Sequence, residues 1–227
     1  MYITDTRPVK VNGFVVPYDD SDPSKILHMG RADTAAMIVC RMDNDAVLKS
    51  LHGALRGHGN YVRIHGNKGL MENARHGDKQ RLRVWREPWE KNPGEPVETV
   101  YTPDFPNHHH DATRAGHGGG DFFTSYHFAE AIRSGEPPYL DVYRGIDMSI
   151  AGIQAWRSAL NDSAPVAVPD FRDEAVRRQY ENDDWSPDPE RAKEGQPPSS
   201  ILGTIEPSDD AKKLAKKIWS EQGYDGD

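Results

Sequence analysis

The stretch "TAAMIVCRMDNDAVLKSLHGAL", residues 34–55, decides how the first half of the chain folds. Residues 34–42 are an apolar run of strand length. Asp43, Asn44 and Asp45 follow; such side chains hydrogen-bond their own backbone and favour tight turns. A second run opens at Ala46, and two runs about so short a turn predict an antiparallel hairpin. The pattern continues on both sides. Upstream, Val9, Val11, Gly13 and Val15 alternate with Lys10, Asn12 and Phe14, the period of a strand. Downstream, Tyr61, Arg63 and His65 alternate with Val62 and Ile64, and "GNKG" (66–69) marks the next turn. Leu82 and Val84 alternate with Arg81, Arg83 and Trp85, and "VETVY" (97–101) closes the series. Strands joined by short turns pair antiparallel. The expected sheet has one apolar face and one bearing Arg, Lys, His and Asn, wet or covered by a partner.

The second half reads as helical. Phe122, Ser125, Tyr126, Ala129 and Ile132 share one face of a helix from about Asp121, and Gly135 sits where a left-handed terminator belongs. A longer helix runs from about Val142, with Asp141 as its candidate N-cap and Ile146, Ile150, Ile153, Trp156 and Leu160 on one stripe. "NDSAP" (161–165) ends it, and residues 173–183 predict a short third helix. The fold class is α+β: a large, open, mostly antiparallel sheet with helices packed on one face, then an extended tail with a terminal helix.

That tail begins at "WSPDPERAKEGQPPSS" (185–200), whose Pro, Ser and charge mark a linker or a surface wrap. Ser208 then caps a helix with Ala211, Leu214, Ala215, Ile218 and Trp219 on one stripe. Lys212, Lys213, Lys216 and Lys217 flank the stripe, and Asp209 is spaced to pair with Lys213. The helix either docks on its own domain or binds a partner. The expected organisation is a domain over 1–184, a linker or wrap over 185–207 and an amphipathic helix over 208–223.

Composition narrows the function classes. The 227 residues are 36% apolar with mean hydropathy -0.80, so a modest core with polar extensions is expected. A net charge of -8 gives no electrostatic case for nucleic acid. Cys40 is the single cysteine, which excludes an internal disulfide and a cysteine zinc motif. There is no run of 18 apolar residues and no charged-then-apolar leader after Met1, so a soluble, cytoplasmic protein without membrane partners is expected.

The densest cluster of unusual residues is "GHGGGD", 116–121. Glycines adopt backbone angles closed to other residues, and they lead to a helix start whose free N–H groups favour polar oxygens. Asp121 is a candidate cap there. The segment is either a ligand loop or a turn that begins a helix. It is not a dinucleotide fingerprint, because it lacks G-x-G-x-x-G after a buried strand. The adjacent His108, His109 and His110 cannot converge on one ion from a regular element, so no metal site is expected. His52, His58 and His65 lie in or beside strands. No G-x-S-x-G, H-E-x-x-H or P-loop is present.

Four stretches together resemble the C-terminal half of the Gfo/Idh/MocA oxidoreductases, in the branch that includes NAD-dependent glycosidases. They are "RPVKVNGFVVP" (7–17), "RIHGNKGLMEN" (63–73), "GHGGGDFFTSYHFAEAIRSGEPPYLDVYRGIDMSIAGIQAWRSALNDSAPVAVPDF" (116–171) and "NDDWSPDP" (182–189). The resemblance implies a substrate-binding and oligomerisation domain acting on a sugar-like polyol or glycoside. It implies His117, Gly118, Gly119 and Asp121 as substrate-binding residues. It also implies NAD(P) as the cofactor of an intact member. The family's Rossmann domain and its catalytic lysine have no counterpart in these 227 residues. The expectation is therefore a chain that binds no cofactor and is inactive alone, and that assembles as a homo-oligomer or with a Rossmann-bearing partner. A fragment, a split subunit, a stand-alone protein and a non-catalytic scaffold all fit this sequence.

Overall fold

A computed structural model of the protein describes residues 3–19, 33–53, 55, 57, 59–75, 77–78, 80–191, 193–203, 205 and 207–224. His58 lies outside the described residues. The chain divides into two compact units, residues 1–56 with 139–227, and residues 57–138.

The first unit holds β1 (Pro8–Val16), β2 (Ala35–Met42) and β3 (Val47–Gly53), together with α3 (Val142–Ala159), the two-residue β8 (Val166–Ala167), α4 (Glu174–Gln179) and α5 (Asp209–Glu221). Its sheet has the order β3-β2-β1-β8, antiparallel throughout. The hairpin of residues 34–55 forms as expected. Its turn closes with the Met42 N–H on the Ala46 carbonyl (2.9 Å), and Asp45 takes the left-handed conformation. β1 pairs with β2 in regular register from Lys10, and a bulge sets Val9 out of the alternation.

Helix α3 covers one face of this sheet. Val11, Cys40, Met42, Ala151, Ala155 and Val168 form the core between them. Of the expected stripe, Ile150 packs on this core and Ile146, Trp156 and Leu160 are half-buried, but the fully buried positions lie beside them. Ala151, Ala155, Ser158 and Ala159 are buried, with Asp147 and Gln154, whereas Ile153 is half exposed. The reason is the closeness of strand and helix. A Cβ on Gly13 would stand 2.0 Å from the Ala155 carbonyl oxygen, so only small residues fit along this seam. Beyond the short β8, the free edge of β1 is finished by the helix and the turn after it. The Gly13 N–H donates to Ser158 Oγ (3.0 Å), and Ser158 Oγ donates to the Ala164 carbonyl (2.6 Å). Asn12 Nδ2 donates to the Ser163 carbonyl (2.7 Å). Asp141 caps α3, its carboxylate accepting from the Arg144 N–H at 2.8 Å.

The opposite face of the sheet differs from the expected polar surface. Lys10, Asn12, Arg41 and Lys49 stand at one end only. At the other, Phe14, Met37 and Leu51 line up across three strands beside Val16, and Phe14, Val16 and Leu51 are each 43% exposed.

The tail wraps this unit. Asp33, just before β2, accepts from the Tyr18 N–H (3.1 Å), the Ser200 hydroxyl (2.8 Å) and the Ile201 N–H (2.8 Å). Ser200 is fully buried, and Tyr18, Ile205 and Ala211 form a second small core under α5. Ser208 caps α5 as its sequence implies, accepting from the Ala211 N–H at 3.3 Å. On this helix Asp209 pairs with Lys212 and Asp210 with Lys213, one residue shorter in spacing than the expected Asp209–Lys213, and Lys217 pairs with Glu221.

The second unit contains the meander β4 (Arg63–Gly66), β5 (Gly69–Asn73), β6 (Leu82–Arg86) and β7 (Glu98–Tyr101), in that spatial order, then α1 (His109–Ala112) and α2 (Gly120–Ser134). Charges ladder across its strands. Glu72 accepts from Tyr61 Oη (2.6 Å), Arg63 Nε (2.6 Å) and Arg83 Nη1 (2.8 Å), and Arg83 reaches on to Glu98 (2.7 Å). These bonds hold the Glu72 carboxyl down to about 2. Among the described residues, no helix is long and apolar enough to cross a membrane.

Candidate functional site

The second unit carries the glycine cluster. Gly116 is extended, after which His117, Gly118 and Gly119 are all left-handed, with φ of 52°, 63° and 94°. Such a run costs little for glycine and about 1 kcal/mol or more for histidine. The loop is pinned where it enters α2. A Cβ on Gly119 would sit 2.5 Å from Phe105 Cζ, and Phe105 in turn packs on Phe123 of α2 (ring centroids 5.2 Å apart). Gly118 has open space in the direction of its missing side chain.

Asp121 is not the helix cap. The N-cap position is Gly119, with no side-chain bond, and the Asp121 carboxylate is taken by His117. His117 Nδ1–H donates to Asp121 Oδ1 at 2.9 Å and Oδ2 at 3.0 Å. A carboxylate only accepts, so this contact places a proton on Nδ1 and turns Nε2 outward. The imidazole is largely in solvent (87% of its side-chain surface), and Gly116 grants the carboxylate room, since a Cβ there would meet Asp121 Oδ2 at 2.4 Å. The four residues picked out from the sequence, His117, Gly118, Gly119 and Asp121, therefore form one local constellation: an exposed imidazole oriented by a carboxylate on a constrained loop.

An aromatic bank that the sequence reading treated only as a helix face adjoins it. His108, itself left-handed at φ 57°, lies 4.4 Å from the Tyr126 ring and 5.5 Å from that of Phe122, and Phe123 stacks on His127. The three adjacent histidines diverge, His108 onto Tyr126, His109 Nδ1 to Asp104 (2.6 Å) and His110 Nδ1 to Asp111 (3.2 Å). Among the described residues, no group of three His, Cys, Asp or Glu is placed to hold a metal ion. His52 on β3 and His65 on β4 are both exposed; His52 belongs to the first unit and His65 to the second, the unit of the loop.

Comparison with known proteins adds a family to this geometry. Residues 14–177 match a family model described as the C-terminal domain of glycosyl hydrolase 109. A glycosyl hydrolase family 109 protein of Solibacter usitatus is 41% identical over 56 residues, a match spanning 25% of this chain and 13% of that protein. Among solved structures, levoglucosan dehydrogenase in complex with NADH and L-sorbose has a TM-score of 0.54 at 16% identity, over 73% of this chain and 46% of that one. An oxidoreductase domain protein from Kribbella flavida has a TM-score of 0.56 at 19% identity, over 74% and 46%. At such identities the structural likeness speaks for the fold. The chain spans less than half the length of these solved relatives.

Proposed function

The chain belongs to the glycosyl hydrolase 109 C-terminal domain family, a C-terminal domain of the Gfo/Idh/MocA type, and on that premise we propose that it is the substrate-binding and oligomerisation domain of an NAD(P)-dependent oxidoreductase or glycosidase acting on a sugar-like polyol or glycoside. The observation that carries the reading is the His117–Asp121 pair on its left-handed loop. Asp121 holds the tautomer, and Nε2 accepts a hydrogen bond from a substrate hydroxyl. Gly118 and Gly119 let backbone rather than side chain approach the ligand. The role is binding and orientation.

The described residues do not fit NAD(P) itself. A pyrophosphate seats on a bare helix N-terminus behind a glycine turn that leaves a strand. Here the glycine turn follows α1, and the first turn of α2 carries the Asp121 carboxylate. Asp141 occupies the start of α3, and Asp209 and Asp210 that of α5. Hydride transfer in an intact enzyme therefore draws on a cofactor cradle that these residues do not supply.

Support for the oligomerisation half comes from the α3-free sheet face, where Phe14, Met37 and Leu51 cross three strands. A second copy of this chain is the occupant we propose for it. The same face supports the alternative reading, a non-catalytic scaffold that pairs through its sheet.

The test is ligand-detected NMR with levoglucosan and L-sorbose on the wild type and on His117→Ala and Asp121→Ala. Loss of sugar contact in both variants, with unchanged circular dichroism, is the expected result. Equal contact in all three proteins would return the segment to a turn that starts a helix. In the same samples NAD and NADP are expected not to bind by calorimetry, and micromolar binding would overturn the assignment of the cofactor cradle elsewhere.

A further inference from the structure

The α3 face of the first unit's sheet carries an open groove of about 220 Å³. Helix α3 rides on β1, where Gly13 meets Ala155, and leaves Ser50 and His52 on β3 exposed. Strand pairing sets Ile38 beside Ser50 and Ala36 beside His52, so an aliphatic floor runs up to a polar rim. Gly152 and Trp156 of α3 form the facing wall. All of these residues belong to the first unit, whereas the glycine loop belongs to the second.

The helix makes room here without an internal reason. Glycine is a poor helix former, yet Gly152 stands inside the 18-residue α3, and a Cβ on it would meet nothing within 4 Å. Ala155 forces Gly13 to be glycine; no described residue forces Gly152. Such a glycine marks a place where something from outside approaches the backbone. The rim also has bonding capacity to spare. The Ser50 hydroxyl and the His52 ring are accessible, and neither is hydrogen-bonded to the described residues. They stand about 7 Å apart along one face of β3, a span that one ligand hydroxyl can bridge. The Trp156 ring stacks on no other aromatic among the described residues, and its buried indole nitrogen takes no part.

The walls select the class of ligand. No Asp, Glu, Lys or Arg lines the groove, so a full charge would lose water and gain no counter-charge. The aliphatic floor and the indole ring suit a planar apolar body. The rim suits a single hydroxyl, whose oxygen accepts from Ser50 Oγ–H and whose proton goes to a ring nitrogen of His52. A volume of roughly seven waters at about 30 Å³ each admits one six-membered ring with its substituents. We propose that this groove binds a small neutral aromatic alcohol of the phenol class, its ring against Trp156 and its hydroxyl on Ser50 and His52.

The experiment is a ligand-detected NMR titration of the whole chain with p-cresol, run beside benzoate and cyclohexanol. Gly152→Leu fills the groove from the helix side and should leave the urea midpoint at or above the wild-type value, leucine being the better helix former. His52→Ala removes one bond of the rim, and Lys49→Ala, on the opposite face of β3, is the control. p-Cresol is expected to bind the wild type more tightly than benzoate or cyclohexanol does. Its binding should be lost in Gly152→Leu, about fivefold weaker in His52→Ala, the loss of one hydrogen bond, and unchanged in Lys49→Ala. Several outcomes overturn the proposal: no p-cresol binding; benzoate or cyclohexanol binding as well as p-cresol; wild-type affinity in Gly152→Leu or in His52→Ala; or loss of binding in Lys49→Ala. A smaller mass of Gly152→Leu in light scattering, with no p-cresol bound to the wild type, would give the groove to a second copy of the chain instead.

Discussion

Replacing Gly13 with alanine tests the account of how β1 and α3 meet. The new Cβ would lie 2.0 Å from the Ala155 carbonyl oxygen and 2.7 Å from its carbon. Carbon and oxygen rest at about 3.3 Å, so strand and helix must part by roughly 1.3 Å. That movement takes the Gly13 N–H beyond reach of Ser158 Oγ, now 3.0 Å away. Overpacking of this kind costs ~1–3 kcal/mol, and the orphaned buried donor a further ~1–3 kcal/mol, giving about 2–6 kcal/mol together. Urea unfolding followed by tryptophan fluorescence is the assay. With a slope of about 2 kcal/mol per molar, the midpoint falls by about 2 M. The control is the same chemical change one strand-to-helix contact away. Gly152, within α3, has open space around its missing Cβ, so Gly152→Ala should stabilise by about 0.5–1 kcal/mol through helix propensity. If Gly13→Ala leaves the midpoint within the error of the wild type, or Gly152→Ala proves the more damaging, the close-approach argument fails.

Four further outcomes are expected. Asp33→Ala removes three acceptor contacts and should free the tail, read as faster tryptic cleavage at Lys193 and a loss of about 2–4 kcal/mol. Glu72 titrates at about 2 in the folded chain against 4.5 in the unfolded one, so its stabilising effect is complete above the unfolded value and fades as pH falls towards 2; Glu72→Gln should flatten the acid-unfolding curve over that window. Asp121→Ala should leave the thermal midpoint nearly unchanged, because Asp121 caps nothing, whereas Gly119→Val should lower it, facing both φ 94° and the Phe105 ring. Leu51→Glu, placed among Phe14 and Met37, should dissociate oligomers in light scattering; an unchanged mass would count against that face as the contact.

What the sequence made legible follows from the range of the forces involved. Turns and caps are local. Asp43–Asn44–Asp45, "GNKG", Gly135, Asp141 and Ser208 can therefore be read from neighbours along the chain, and each appears where expected. The α+β class and its antiparallel pairing follow from period-two alternation and short turns. The buried stripe of α3 was misjudged because hydrophobicity was taken as the signal, while the deciding quantity was a 2.0 Å gap set by a glycine 142 positions away in sequence. The signal was present as a glycine inside an otherwise regular strand. In the candidate site, the glycine cluster is visible along the chain, but the contact that Asp121 makes depends on the left-handed turn at His117, which its sequence neighbours do not dictate.

The division of the chain also sets an order of events during synthesis. β1, β2 and β3 leave the ribosome before the helix that covers them, with Val11 and Cys40 bare, and that helix follows about a hundred residues later. At bacterial or eukaryotic elongation rates that interval lasts roughly 5–20 s. Residues 57–138 arrive in between and contain a meander of neighbouring strands, contacts that close quickly because their loops are short. The later-made unit can thus finish before the earlier one, whose half-built sheet must wait with its apolar face open. Slow codons between residues 57 and 138 would lengthen that exposure rather than help the chain fold.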